Sequence, residues 1–251
     1  MPIVYSFADG DALSGGLNSF VEKVSRDAIA NHGYLSVAIS GGSLPKILSK
    51  DLKTNKNVEF DKWHVFWADE RCVPHDHEDS NYLEVRKSLL DHIPQLQQAN
   101  IHPIHEAFAT AKDTEKAAAD YEQQLKSFFK TNEWPAFDLI LLGMGPDGHC
   151  CSLFPGHPLL DEKTRWVAPI NDSPKPPPER ITLTFPVLNH ARLVVFVTAG
   201  DGKKDMVQQI IEQPEKNLPC QRVKPSEGHV YWFIDDAAAS KLRKESCSEY
   251  K

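Results

Sequence analysis

Five times along the chain an apolar run of five or six residues hands over to glycine, a hydroxyl or a charge. Tyr34–Ile39 leads into Ser40-Gly41-Gly42-Ser43, and Trp63–Trp67 into a turn carrying Asp69, Glu70 and Arg71. Phe137–Leu142 leads into GMGPDGH, Leu193–Thr198 into AGDGKK, and Val230–Ile234 into Asp235-Asp236. Runs that are apolar throughout, with no alternation, are strands buried on both faces. Helical segments lie between them. Leu13, Leu17, Phe20, Val21, Val24, Ala28 and Ile29 make one apolar stripe that Asn31-His32-Gly33 ends, and Leu44–Leu52 makes a second helix with Pro45 in its first turn. A long helix is predicted over Ala111–Phe129, a further strand over Ile181–Phe185, and a short helix over AAASKL. The alternation predicts an α/β fold, a doubly wound and mostly parallel sheet with helices on both faces. One domain can hold the whole chain, residues 1–251. SPKPPPE at 173–179 reads as a stiff, extended connection.

Because each strand ends in ligand-capable residues, these turns should converge on one crevice at the carboxyl edge of the sheet. The ligand is not a polyanion or a membrane surface. With 28 basic against 35 acidic residues the net charge is −7, whereas binding nucleic acid or anionic lipid requires a cationic face. Five cysteines, two of them adjacent (Cys150 and Cys151), have no disulfide spacing and suit a reducing compartment. The N-terminus carries no basic-then-apolar leader, and no apolar run reaches the ~18 residues that span a bilayer. A soluble cytoplasmic protein is expected.

Gly143, Gly145 and Gly148 spell GxGxxG directly after a strand, the outline of a dinucleotide-binding turn. That turn must open a helix. Here Pro155 and Pro158 follow within a few residues, and the next segment, Trp166–Ile170, contains Pro169. The glycines instead shape a tight loop that presents His149, two residues after Asp147. An imidazole whose ordinary pKa lies near ~6.5 can take a proton from water at neutral pH, and a carboxylate beside it fixes its tautomer.

Three segments supply sites for an anionic group. The Ser40–Ser43 turn precedes a helix and offers backbone N–H groups at a positive dipole end. GDGKK at 200–204 adds Lys203 or Lys204, and Arg180 before ITLTF can add a bidentate fork. Together they make a phosphate pocket the economical account. Weaker alternatives are a metal on His75, His77, His102 and His105, which lack defined carboxylate or thiolate partners, and Cys150 as a nucleophile, which adjacency to His149 does not favour. The PxxP of SPKPPPER is read as a rigid wall of the site, since it sits inside the domain.

Taken in order, VAISGGSLPKIL, WADERCVPHDHEDSNY, LILLGMGPDGHCCSLFPGHPLL, PINDSPKPPPERITLTFPVLN and VTAGDGK resemble the 6-phosphogluconolactonase family over nearly the whole chain. The resemblance implies hydrolysis of 6-phospho-D-glucono-1,5-lactone to 6-phosphogluconate in the oxidative pentose phosphate pathway. By it, His149 corresponds to the general base, Asp147 to its supporting acid, and Asp69 and Arg71 to residues lining the pocket. Gly41, Gly42 and Ser43 correspond to the phosphate-binding turn, Arg180 to its arginine and Lys203 to its lysine. Arg71 or loop amides are candidates for stabilising the oxyanion. The resemblance implies neither metal nor organic cofactor and a small sugar-phosphate lactone as the partner; no nucleic acid or membrane partner is expected from the charge, and a monomer is expected. One departure is Cys151, where the family loop usually has alanine. Glucosamine-6-phosphate deaminases share the architecture and a similar loop but carry an acidic residue soon after the histidine, where this chain has Leu153, Phe154 and Pro155. A silent sugar-phosphate sensor is the rival outside enzymes, and the intact Asp147 and His149 loop argues against it.

Overall fold

A computed structural model describes residues 2–250. Ten strands follow in chain order: β1 (Ile3–Phe7), β2 (Leu35–Ile39), β3 (Trp63–Trp67), β4 (Asp69–Arg71), β5 (Ile101–His102), β6 (Leu139–Leu142), β7 (Val167–Ile170), β8 (Arg180–Leu183), β9 (Leu193–Thr198) and β10 (His229–Asp235). The helices are α1 (Gly10–His32), α2 (Leu44–Leu52), α3 (Asn81–Ser88), α4 (Glu106–Thr110), α5 (Thr114–Phe129), α6 (Phe185–Leu188), α7 (Lys204–Glu212), α8 (Pro219–Arg222) and α9 (Asp236–Ala239).

Seven strands form one parallel sheet in the order β1-β10-β9-β6-β2-β3-β5, as the buried apolar runs predict. Neighbouring residues on each strand point to opposite faces. Val37, Ile39, Val65, Leu139, Leu141 and Val195 therefore pack against α1, α2 and α3, while Ala38, Phe66, Ile140, Leu142 and Phe196 pack against α5, α6 and α7. Each fully buried leucine, such as Leu13 or Leu17 on α1, contributes about 1.5–3 kcal/mol. The Asp9 carboxylate accepts the N–H groups of Asp11 and Ala12 to start α1, and Gly33 stops it at φ 94°.

From β2 the chain adds β3 and then β5 on one side, before β6 returns to the other side of β2. The winding reverses between β2 and β6, so the turns leaving their carboxyl ends diverge and leave a crevice between them. Beside it lies a small antiparallel sheet, β4-β8-β7, in which Arg71 pairs with Arg180 and Asp69 with Thr182.

Several boundaries differ from expectation. The helix predicted over Ala111–Phe129 begins at Thr114, because Lys112 turns left-handed at φ 55° and the Asp113 carboxylate caps the Lys116 N–H. The strand predicted over Ile181–Phe185 runs from Arg180 to Leu183, and Phe185 instead opens α6. Four strands have no counterpart in the sequence reading: β1, which pairs with β10; β4, read as a turn but paired with β8; β5, which pairs with β3; and β7, where Pro169 is tolerated on the sheet edge. All five cysteines are free thiols. Among the described residues no helix is long and apolar enough to cross a membrane.

Candidate active site

The crevice is a cleft of about 180 Å³ built from four strand ends. Ser40–Ser43 follow β2, Asp69 and Arg71 form part of β4 after β3, Gly143–Cys151 follow β6, and Thr198 with Lys203 belong to the end of β9. Gly41, Gly42, Ser43, Asp69, Arg71, His149 and Lys203 all line it.

The loop after β6 is folded around His149. Gly145 N–H donates to the His149 carbonyl (2.9 Å) and Gly148 N–H to the Gly145 carbonyl (3.0 Å), with Gly148 at φ 79°. The imidazole packs on the Phe154 ring at 4.6 Å between centroids, and its side chain is 15 % exposed. Its Nδ1 pairs with Asp147 Oδ1. With the proton on Nδ1, where a carboxylate accepts it, Nε2 is left as the basic nitrogen. Burial pushes the His149 pKa below the ordinary 6.5, opposed by the hydrogen bond and charge of Asp147 and assisted by Lys175. Burial acts to raise the Asp147 carboxyl, but the hydrogen bond and charge of His149, with Lys175, outweigh it and hold the carboxyl low. The site therefore keeps a neutral base beside an ionised acid.

The turn after β2, which lines the same cleft, is equally constrained. Gly42 adopts φ 74°, and a β-carbon on Gly41 would lie 1.9 Å from the Asn81 amide oxygen. Ser43 caps α2 with its hydroxyl uncommitted to the helix, and the first turn of a helix leaves N–H groups free for an anion. Ser40 Oγ and Arg71 Nε are buried without a hydrogen-bond partner, and both residues line the cleft. Buried polar atoms of this kind are normally satisfied, so a ligand oxygen is a natural acceptor for the Arg71 N–H.

Arg71 is positioned from behind. Its Nη1 donates to the Asp79 carbonyl (2.8 Å), and its backbone N–H donates to Glu70 Oε1 (2.7 Å). The Glu70 carboxyl, 2 % exposed, also accepts the N–H groups of Asn81 (2.8 Å) and Tyr82 (2.7 Å) at the start of α3. Asn81 Nδ2 donates to the Asp69 carbonyl (2.9 Å), which sets its amide against Gly41. Lys203, not Lys204, reaches the cleft: its Nζ donates to the Met144 carbonyl (2.9 Å), whereas Lys204 pairs with Asp201 (2.7 Å).

Arg180 is 3 % exposed and stands behind the cleft wall. Its Nε donates to the Pro177 carbonyl (3.0 Å), Nη2 to those of Lys175 (2.9 Å) and Pro176 (3.1 Å), and Nη1 to Ser152 Oγ (3.4 Å). Ser152 Oγ in turn donates to Asp69 Oδ2 (2.9 Å). The histidines outside the loop have local partners. His75 Nε2 meets the Ile104 carbonyl (2.9 Å), His77 Nδ1 accepts the Asp79 N–H (3.1 Å), His102 Nε2 meets His64 Nδ1 (3.2 Å), and His105 packs on Phe108.

Asn81 carries no turn or glycine signal and escapes sequence reasoning, while Thr198 at a predicted strand end and Lys175 in the proline segment are not singled out as site residues. Ser80, a capping hydroxyl before NYLE, is the one local cue that a helix start lies beside Asn81.

The chain is similar to known proteins. A family model described as glucosamine-6-phosphate isomerases/6-phosphogluconolactonase matches residues 8–232. A probable 6-phosphogluconolactonase of Schizosaccharomyces pombe is 44% identical over 249 residues, covering 97% of each chain. The 6-phosphogluconolactonase of Rattus norvegicus is 42% identical, covering 96% of this chain and 93% of the other. The solved structure of 6-phosphogluconolactonase from Trypanosoma brucei aligns with a TM-score of 0.86 at 28% identity, over 97% of this chain and 99% of that one.

Proposed function

The chain belongs to the family of glucosamine-6-phosphate isomerases and 6-phosphogluconolactonases, and we propose that it hydrolyses 6-phospho-D-glucono-1,5-lactone to 6-phosphogluconate, the lactone-opening step of the pentose phosphate pathway, with His149 as general base. The names of its relatives supply the substrate. The observation that carries the mechanism is that His149, paired with Asp147, lines one cleft together with the N-terminal end of α2, Arg71 and Lys203.

The phosphate is held by the Gly41–Ser43 turn with Lys203 and Arg71, the cations that line the cleft. A phosphate contact from Arg180 requires it to exchange one of its carbonyl bonds. Fixing the far end of the substrate brings C1 to the base and makes the attack nearly unimolecular. Nε2 of His149 removes a proton from water while the water oxygen bonds to C1, and the carbonyl pair moves onto oxygen. Loop amides stabilise that oxyanion, with Arg71 the alternative donor if Lys203 and the turn hold the phosphate without it. When the pair returns, the bond from C1 to the ring oxygen breaks, and that oxygen takes the proton from the imidazolium. Asp147 stays ionised throughout and stabilises the imidazolium.

The proposed active species is a monomer. Deamination of glucosamine 6-phosphate is disfavoured by the Phe154 ring packed on the imidazole, where a proton-shuttling carboxylate would be required. The test is to measure 6-phosphogluconate release above the enzyme-free rate, alongside ammonia release from glucosamine 6-phosphate. Lactone opening without ammonia is expected, and the reverse result would overturn the assignment.

A further inference from the structure

The segment 173–179 is clamped far more firmly than a spacer requires. Arg180 gathers the carbonyls of Lys175, Pro176 and Pro177. Ser173 Oγ donates to the Lys175 carbonyl (2.8 Å), and Ser173 N–H closes the loop on the Pro178 carbonyl (3.2 Å). The Lys175 carbonyl thus accepts from two directions, which fixes the point from which its side chain departs. That side chain brings Nζ to 3.7 Å from Asp147 Oδ1, the same oxygen that pairs with His149 Nδ1.

At that separation the ammonium acts as a charge and not as a hydrogen-bond donor, so it leaves the Asp147–His149 bond intact. A half-exposed ion pair of this kind adds little stability. Its effect falls on the catalytic pair. We propose that Lys175, held in place by the Arg180 clamp, is a positioning residue that acts through Asp147 to keep His149 neutral and therefore able to accept a proton from water.

The other charges around the imidazole do not do this. Asp147 and Asp69 both favour the imidazolium, and Lys203 and Arg71 line the cleft where the substrate phosphate would neutralise them. Arg180 is separated from the ring by Phe154, over which its guanidinium lies at 5.6 Å. The Cys220 thiol donates to the His149 carbonyl (3.5 Å), and Cys150 is buried and held protonated. Lys175 is thus the nearby cation that acts on the pair and is not committed to the substrate. Its contribution has the same direction as burial, lowering the His149 pKa.

The proposal rests on His149 being the base, so it is tested by a readout independent of turnover. The His149 imidazole is titrated by NMR in the free wild-type protein, in Lys175→Gln and in Lys175→Arg. Lys175→Gln is expected to raise the imidazole pKa by about half a unit or more, an increase of roughly three-fold in its proton affinity, and Lys175→Arg to bring it back most of the way. An unmoved titration in Lys175→Gln, or an equal shift in both variants, would overturn the proposal. The acid limb of kcat/KM, recorded in parallel, separates the two claims. If the imidazole shifts and the limb does not, Lys175 is coupled to His149 as proposed and the assignment of His149 as base is what fails.

Discussion

Gly145 passes directly beneath the His149 imidazole, so closely that a β-carbon there would lie 2.0 Å from both Nδ1 and Cε1. Gly145 is thus a matter of space, for its backbone is not among those at positive φ. Gly145→Ala should therefore fold and displace the ring. A shift of about 1 Å in a reacting group costs on the order of 10² in rate, so kcat is expected to fall about 100-fold with the melting temperature little changed. A kcat within a factor of two of wild type would show that ring placement does not limit the reaction.

The turn after β2 makes the same kind of demand on binding. Gly41→Ala drives a methyl into the Asn81 amide and should open the phosphate pocket. KM is expected to rise about tenfold or more, a loss near 1.4 kcal/mol, with a smaller change in kcat. Inhibition by inorganic phosphate should weaken in step. If phosphate inhibition is unaffected, the anion sits elsewhere.

The pH profile follows from the lowered pKa of His149, whose first cause is burial. A lowered value means that the neutral, basic imidazole persists to lower pH. Activity should therefore hold at pH 6.5, where an ordinary histidine is half protonated, and fall only below it. Rates of kcat/KM against pH, corrected for spontaneous lactone opening, check this, and an acid limb above 6.5 contradicts it.

Glu70 gives a separate signature in stability. Burial pushes its carboxyl up to about 7 against the opposing N–H bonds of Asn81, Arg71 and Tyr82, while its ordinary value is 4.5. Because the folded value is the higher one, the protein binds a proton on folding between those limits. The stability from this group is fully present below 4.5 and lost as pH climbs to about 7, a change on the order of 3 kcal/mol. Glu70→Gln should flatten the slope of unfolding free energy across that window. An unchanged slope would show that Glu70 does not titrate there.

The scaffold was legible where its physics is local. Trp63–Trp67, Leu193–Thr198 and Leu44–Leu52 match the observed elements end to end, because continuous apolar runs and a proline-started helix are signals that neighbours alone generate. That Asp147 and His149 pair was legible for the same reason, since they lie two residues apart in a loop that three glycines mark. β1, β4, β5 and β7 were not, since they are short edge strands completed by partners ten or more residues away. Arg180 read as a free fork because sequence does not show that three nearby carbonyls occupy it. Asn81, Glu70 and Lys175 acquire their roles only through contacts across the crevice, with Gly41, the start of α3 and Asp147.

The most direct test of the account is the turnover of 6-phosphoglucono-1,5-lactone by His149→Ala, measured above the enzyme-free background. Loss of a general base predicts a kcat lower by about 10²–10⁴ with KM changed little, since the phosphate contacts remain. A kcat equal to wild type would contradict the account at its centre.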